Sequence, residues 1–368
     1  MKKAVLISCF NWYEARLKPI RRLLVEQGYE VSILIADFDH IKKKVVSPQF
    51  DECTYIHVPE YKTNISFARI KSHFCFGKQC KKFIWEQKPE LIYCQVPPNK
   101  VVDYCADYKK KNQGIKFIID IIDLWPESMP LGGLRNTPPA KVWKRWRDSA
   151  IQVADHVFTE CTFYQEKLKR IIIPSKTTTL HLYKEQREEE KQLVSEIIQL
   201  GKKDDIVRFA YLGSMNNIID IDQICDVIQT FIHSGKTCEL YAIGDGESRE
   251  KFEEAVKSTG CKTMFYGCVF DELEKIRILT PCDYAFNMMK SDISVGLTIK
   301  SIDYLSYGLP LINNITGDTW KLVEEEKIGM NVSDNSISLA SFDHSIVLGV
   351  FHNYFSKERF IERVGEAL

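Results

Sequence analysis

Short apolar runs alternate with helical spacings from the first residues onward. Residues 4–8, 31–36, 54–58, 91–95, 117–122 and 156–159 are each a short, mostly apolar run bounded by polar or turn residues, and they read as strands. Residues 19–27, 65–87, 100–112, 141–153 and 163–170 repeat their apolar positions at helical intervals. Gly28 and Gly114 follow two of these helices, where a left-handed terminal residue is favoured. The alternation predicts a parallel sheet with right-handed crossovers.

Between residues 183 and 205 the texture changes to KEQREEEKQLVSEIIQLGKKDD, charged but helically spaced. It predicts an exposed helix at a domain boundary. The first domain is placed at 1–185 and the second at 186–349, with a C-terminal helix at about 350–368 completing the first. The second pattern has strands at 207–212, 239–243, 263–265, 284–287 and 311–313. Helices are expected at 222–233, 248–258, 272–279 and 300–307, and one or two more across 342–368. The fold class is therefore α/β, two doubly wound Rossmann-like domains in tandem. No internal repeat is evident.

Composition narrows the classes. A chain of 368 residues suits two cores, and 45% apolar with 27% charged residues excludes a disordered or fibrous protein. The formal net charge is zero, yet basic residues outnumber acidic ones up to Leu180 and are outnumbered after it. A basic first half suits an anionic partner such as a phospholipid surface or a lipid phosphate; mutual attraction of the two domains explains it equally. The stretch 66–85, with Phe67, Phe74, Phe76, Phe83 and Trp85 among Arg69, Lys71, Lys78, Lys81 and Lys82, is a candidate membrane-facing helix. KVWKRWR at 141–147 is a second. No RNA-binding motif accompanies them, and nucleic acid is not an expected partner. The twelve cysteines form no zinc spacing and sit mostly in apolar runs, as free thiols do in a reducing cytosol. The first apolar run meets Asn11 and Glu14 too early for a signal sequence, and no run reaches the ~18 residues of a membrane span. A cytoplasmic protein is expected, with at most peripheral contact on the inner face of the plasma membrane.

The richest segment is 294–310, SVGLTIKSIDYLSYGLP. Gly296 lets the backbone approach a ligand, and Thr298 is placed to cap the following helix. Free N–H groups at a helix start favour phosphate, with Lys300 and Ser301 in the first turn to assist. Asp303, a turn later, has the carboxylate that a ribose would need. An amphipathic helix with a routine cap is the plainer alternative. Two tandem domains without GxGxxG in the first turn argue against a dinucleotide enzyme, and the GDGE turn at 244–247 is weak evidence alone.

The order of motifs over residues 206–333 resembles the donor domain of GT-B glycosyltransferases, specifically the large retaining family four. FAYLGSMNNIIDID resembles its opening strand and loop, and LYAIGDGESREKFEE its second strand, glycine turn and helix. MFYGCVFDELEKI with CDYAF is similar to the next two strands, and SIDYLSYGLPLI to its EAMACGLPVV run. IDLWPESMP and VFTECTFYQEKL fall where the family has HDLWPE and its last N-domain strand and helix.

The resemblance implies two domains facing a cleft. It also implies transfer of a sugar, with retained configuration, from a nucleoside diphosphate sugar to a lipid-linked or glycan acceptor in cell-surface glycan synthesis. No cofactor is implied, and without an Asp-x-Asp motif no metal is expected. Donor contacts are placed at Gly213, Ser214, Asn216, Gly244, Gly246, Gly296, Thr298, Lys300, Ser301 and Asp303. Lys300 would stabilise the leaving diphosphate, and Asp123 and Glu160 would orient or activate the acceptor hydroxyl. Asn11 and Arg16, in the first turn of the N-domain, would border the diphosphate. This chain departs from the family at Val295, where a glutamate would hold the donor sugar, and at Ser214 and Asn216, where basic residues would hold the diphosphate. Ile122 stands at the family's histidine. Val295 and the missing basic pair motivate one alternative, a non-catalytic GT-B partner subunit with a degenerate donor site; a GT-B nucleotide-sugar epimerase is another, against which the absence of well-placed acid/base histidines weighs.

Overall fold

Strands that are apolar at every position, rather than at alternate ones, belong in a sheet covered on both faces. The computed structural model builds two such sheets. It describes all residues except 11–13, 65, 130–136, 203, 292–294 and 334–336, together with the side chains of residues 14 and 15.

The first unit comprises Met1–Leu182 and Phe360–Leu368. Its strands are β1 (Lys2–Ser8), β2 (Tyr29–Ala36), β3 (Phe38–Asp39), β4 (Lys44–Val45), β5 (Cys53–Ile56), β6 (Leu91–Val96), β7 (Lys116–Ile121), β8 (His156–Thr159) and β9 (Thr177–Thr179). Its helices are α1 (Glu14–Glu26), α2 (Phe67–Gln87), α3 (Asn99–Lys111), α4 (Pro138–Ile151) and α5 (Thr162–Leu168). The parallel sheet runs β5-β2-β1-β6-β7-β8-β9. Its order reverses between β1 and β6, the place where open sheets bind ligands at the carboxyl ends of the strands. Ile7, Cys94 and Phe117 of the strands pack with Phe76 and Ile84 of α2 and Val101 and Cys105 of α3. The β3–β4 hairpin and β9 are too short to leave a readable pattern.

The second unit is Tyr183–Arg359. After α6 (Glu188–Leu200) come β10 (Val207–Leu212), α7 (Ile221–His233), β11 (Cys238–Ile243), α8 (Arg249–Ser258), β12 (Lys262–Phe265), α9 (Glu272–Leu279) and β13 (Tyr284–Asn287). They are followed by α10 (Ile299–Ser306), β14 (Leu311–Asn313), α11 (Asp318–Glu326), β15 (Gly329–Asn331) and α12 (His344–Phe355). The sheet order is β12-β11-β10-β13-β14-β15, again all parallel, with its reversal between β10 and β13. Phe209 of β10 stacks on Phe286 of β13 with ring centroids 5.0 Å apart, and Phe231 of α7 closes on Phe209 edge-on at 5.3 Å. Sequence patterning did not anticipate α11 and β15. The strand, Gly-Met-Asn, is not an apolar run, and only Val323 of the helix's apolar side chains is fully covered.

The last helix, α13 (Lys357–Gly365), begins in the second unit and ends in the first, where Phe360 lies under the guanidinium of Arg16 at 5.1 Å. Lys116 Nζ donates to the carbonyl of Leu368 at 2.5 Å. No helix among the described residues is long and apolar enough to cross a membrane.

Candidate functional site

In the second unit, two loops leave the carboxyl ends of the central strands and are bonded to each other. Gly213 N–H donates to Ile243 at 3.0 Å, Met215 N–H to Asp245 at 2.9 Å, and Ser248 N–H back to Met215 at 2.9 Å. Backbone pairing this close leaves no room for side chains. A Cβ on Gly244 would stand 1.9 Å from the carbonyl oxygen of Gly213, and one on Gly246 2.3 Å from that of Met215. Both glycines also have positive φ, 138° and 154°. Loop-on-loop packing therefore requires glycine at 244 and 246, whether or not a ligand approaches. Ser214 is exposed, and its carbonyl accepts from the Tyr211 hydroxyl at 3.0 Å. Asn216 Oδ1 accepts from Ile218 N–H at 3.2 Å in a local turn, which leaves its amide nitrogen unpaired among the described residues.

Ser294 lies outside the described residues, so the loop is described from Val295. The carbonyl of Gly296 accepts from both the N–H and the hydroxyl of Thr319, each at 3.0 Å, pinning the loop to α11. Thr298 caps α10 as expected: its Oγ1 accepts from Ser301 N–H at 3.2 Å. The same oxygen donates to Asn287 Oδ1 at 2.9 Å and bonds the Ser301 hydroxyl. Ser301 is completely buried. Both hydroxyls thus face inward and tie the helix to β13. The amides of Ile299 and Lys300 have no acceptor among the described residues.

Lys300 is half-buried, with its ammonium 5.3 Å from the ring centre of Tyr211. No carboxylate lies within ion-pair distance of it among the described residues, and desolvation alone lowers its pKa to about 8. Asp303 differs: its Oδ1 receives Lys184 Nζ at 2.8 Å, and Lys184 also pairs with Glu272 Oε1 at 2.5 Å. Tyr307 donates to the same Glu272 oxygen at 2.5 Å. Burial opposes ionisation of Glu272, but Lys184 and these hydrogen bonds overcome it and hold the pKa at about 2. Sequence reading missed Lys184 and Glu272, because nothing local marks a lysine in a charged stretch as the partner of a carboxylate more than a hundred residues on.

In the first unit, Arg16 is not at a ligand-facing edge. It is 3% exposed and forked onto Asp120 of β7, with Nε–Oδ2 2.8 Å and Nη2–Oδ1 3.0 Å. Two further N–H groups donate to the carbonyls of Leu180 at 2.7 Å and His181 at 3.2 Å. Arg16 is expected from the sequence to border a diphosphate; in the structure four of its N–H groups are engaged in closing the fold. Asp120 also accepts from Tyr93 at 2.7 Å and Gln95 at 3.3 Å. Asn11, the other residue expected beside the diphosphate, lies outside the described residues.

Asp123 follows β7, accepting from Trp125 Nε1 at 2.6 Å and from the Ser128 hydroxyl. Burial raises its pKa, while these two hydrogen bonds and the Arg69 charge oppose the rise. Glu160 follows β8. Burial raises its pKa to about 8, with Arg16 opposing and the Asp120 and Asp123 charges adding. Its carboxyl has no hydrogen-bond partner among the described residues and carries a proton at neutral pH. Such a group can donate a hydrogen bond through its O–H, and in that state it cannot serve as the base that takes a proton.

The two basic, aromatic stretches are partly internal. Arg69 and Phe76 of α2 are buried, and Arg147 of α4 is completely buried, forked onto Glu127 at 2.8 and 2.9 Å. Phe67 is 91% exposed. Among the described residues no three His, Cys, Asp or Glu side chains converge as metal ligands would.

Two all-parallel Rossmann-like units in one chain define the GT-B fold, and this chain has it. Solved structures superpose along its whole length. The lipopolysaccharide outer core galactosyltransferase WaaB is 14% identical and aligns with a TM-score of 0.68, covering 100% of this chain and 99% of its own. Sucrose-phosphate synthase from Thermosynechococcus elongatus is 13% identical, with a TM-score of 0.67, covering 100% and 98%. Anabaena HepE, solved in complex with UDP, is 11% identical, with a TM-score of 0.65, covering 100% and 99%. At such identities the likeness is one of fold. No protein-family model matches the chain, and no curated protein matches it.

Proposed function

We propose that this protein is a glycosyltransferase of the retaining family-four type. It moves a sugar from a nucleoside diphosphate sugar to a hydroxyl on a lipid-linked or glycan acceptor in cell-surface glycan synthesis. One observation carries the reading: a desolvated, unpaired ammonium, that of Lys300, stands at the start of α10 beside two backbone amides that lack acceptors. An anion placed there gains the helix N-terminus and a lysine together, in a setting where little water competes. The leaving diphosphate is such an anion, because negative charge grows on it as the anomeric carbon–oxygen bond breaks. The new bond forms to the acceptor oxygen, whose proton leaves to a base. Asp123 is the carboxylate held for that proton, and protonated Glu160 holds an acceptor or sugar hydroxyl by donating to it. Asp303, already oriented by Lys184, accepts a ribose hydroxyl through its second oxygen. A metal ion is not needed in this scheme. The relatives of like fold solved with UDP and UDP-glucose support a uridine nucleotide as the first one to try.

Calorimetric titration with UDP, GDP and UMP tests the donor site. A nucleoside diphosphate should bind more tightly than the monophosphate, and Lys300→Met should weaken it about ten- to a hundredfold. If no diphosphate binds the native chain, or Lys300→Met binds as well as the native chain, the donor assignment fails.

A further inference from the structure

Helices α2 and α4 both pack on α3, and together they line a cavity of about 630 Å³. Its wall is apolar, made chiefly by Ile70, Phe74, Pro98, Val142, Trp143 and Trp146. Ile70 and Val142 are 42% and 48% exposed, so apolar surface is open to solvent at these two positions. Phe74 meets Trp146 edge-on at 5.6 Å.

Polar side chains interrupt this wall, among them Asn64, Ser66, Lys100 and two that are almost wholly buried. Arg69 and His73 both line the cavity, although they are only 7% and 5% exposed. Arg69 Nε and His73 Nε2 are buried without a hydrogen-bond partner. No carboxylate pairs with Arg69 among the described residues. Its guanidinium lies 4.4 Å from the ring centre of Trp125, and one terminal nitrogen donates to the carbonyl of Asn64 at 2.9 Å. His73 stacks on the same Trp125, and burial beside Arg69 keeps the imidazole neutral, with a pKa of about 3. A buried guanidinium without a counter-charge is costly, and elsewhere in this unit such groups are paired: Arg16 with Asp120 and Arg147 with Glu127. Arg69 has no such ion pair: Tyr61 lies beside it, the Asp123 charge acts on it from beyond ion-pair distance, and it opens onto an apolar cavity. The same two helices expose Lys71, Lys78, Lys82, Lys141 and Arg145, and a basic surface attracts anionic amphiphiles from a distance.

We propose that this cavity binds a lipid phosphate ester, with the phosphate at Arg69 and His73 and the alkyl chain along Phe74, Trp143 and Trp146. The apolar wall suits a chain and the unpaired guanidinium suits an anion; neither feature alone explains the other. The role as carrier of the acceptor rests on the glycosyl-transfer reading, whereas the binding itself does not.

Octyl phosphate, octanol and inorganic phosphate, each titrated below micelle-forming concentration and followed by tryptophan emission, test it on the full chain. Octyl phosphate should bind more tightly than either of the others. Arg69→Gln should weaken octyl phosphate about ten- to a hundredfold and leave octanol unchanged, the range expected for a charge-assisted hydrogen bond. Val142→Glu, at an exposed position that folding tolerates, should weaken both chain-bearing ligands and keeps the test open if Arg69→Gln does not fold. Equal binding of octyl phosphate and octanol would remove the phosphate contact. Inorganic phosphate binding as tightly as octyl phosphate would reduce the site to a plain anion site, and indifference to Val142→Glu would place the chain elsewhere; each overturns the proposal. UDP titrated into the same preparations separates the two readings. UDP binding without octyl phosphate binding sinks this inference alone, and the reverse sinks the donor site alone.

Discussion

At Glu160 and Lys300 desolvation prevails, over the Arg16 charge at Glu160 and without an opposing charge at Lys300, and their proton equilibria move in the neutral direction. For Glu160 the folded pKa of about 8 lies above the ordinary 4.5. Between those values the folded state binds the proton more tightly than the unfolded chain, so stability falls as pH rises through the window. Glu160→Gln should remove that slope. Urea midpoints should show the variant gaining about 1–4 kcal/mol over the native chain at pH 8 and almost nothing at pH 5; equal gains at both pH values would contradict the burial argument. Lys300 has the opposite sign. Its pKa falls from 10.5 to about 8, so the folded chain carries the cost of a desolvated charge at neutral pH and is relieved as pH rises between those values. Lys300→Met should therefore stabilise the unliganded protein on the order of 1–3 kcal/mol at pH 7, less at pH 10, while weakening diphosphate binding. Thermal scans at both pH values check it, and a destabilised variant would mean that the lysine has a partner. The sequence marks Lys300 by its place after a capping threonine. It gives no sign of burial, which depends on Tyr211, a residue about ninety positions away.

At the scale of elements, the loops after β10 and β11 act as one piece because their backbones interlock. Gly244→Ala should cost at least about 2 kcal/mol, since the new Cβ meets a carbonyl oxygen at 1.9 Å as well as a positive φ. Gly201→Ala is the matched control: φ is +61°, nothing stands within 4 Å, and the cost should be about 1 kcal/mol. Equal shifts of the two urea midpoints would show that strain alone, not loop contact, sets the cost. The GDG turn was legible as a turn, and its glycines looked suited to phosphate. Only the coordinates reveal that the neighbouring loop already occupies the space a side chain would need. Arg16 shows the same limit. Its helix was legible in part, but the bidentate partner Asp120 sits inside an apolar strand, where a carboxylate has no local reason to be.

At the scale of the molecule, the chain divides its cysteines by burial rather than by pairing. Burial pushes the thiols of Cys9, Cys80, Cys94 and Cys282 far up, and Cys268 is exposed. Iodoacetamide at pH 8 should label Cys268 rapidly and those four only on unfolding, and dithiothreitol should leave the melting temperature unchanged. Peptide mapping of the alkylated protein decides, and early labelling of Cys94 or Cys282 would contradict the packing of the cores. Two runs of the strand–helix alternation, each with a central apolar strand first, were enough to read two doubly wound parallel sheets from the chain. Periodicity is a local property, and a strand buried on both faces must be apolar throughout wherever it lies. The short strands β9 and β15 escaped because neither is an apolar run: β9 is three threonines and β15 is Gly-Met-Asn, whereas β14, equally short, has Leu311 and Ile312. The ends of β10 and β13, the capped start of α10 and its lysine were likewise written in order along the sequence. Which of those groups are free to meet a ligand was not. That depends on where every other charge and hydroxyl is spent: Arg16 on Asp120, Asp303 on Lys184, Ser301 on Thr298, with Lys300 and Arg69 left without an ion pair. Pairings between residues far apart in the chain are settled only when the sheet brings them within hydrogen-bonding distance.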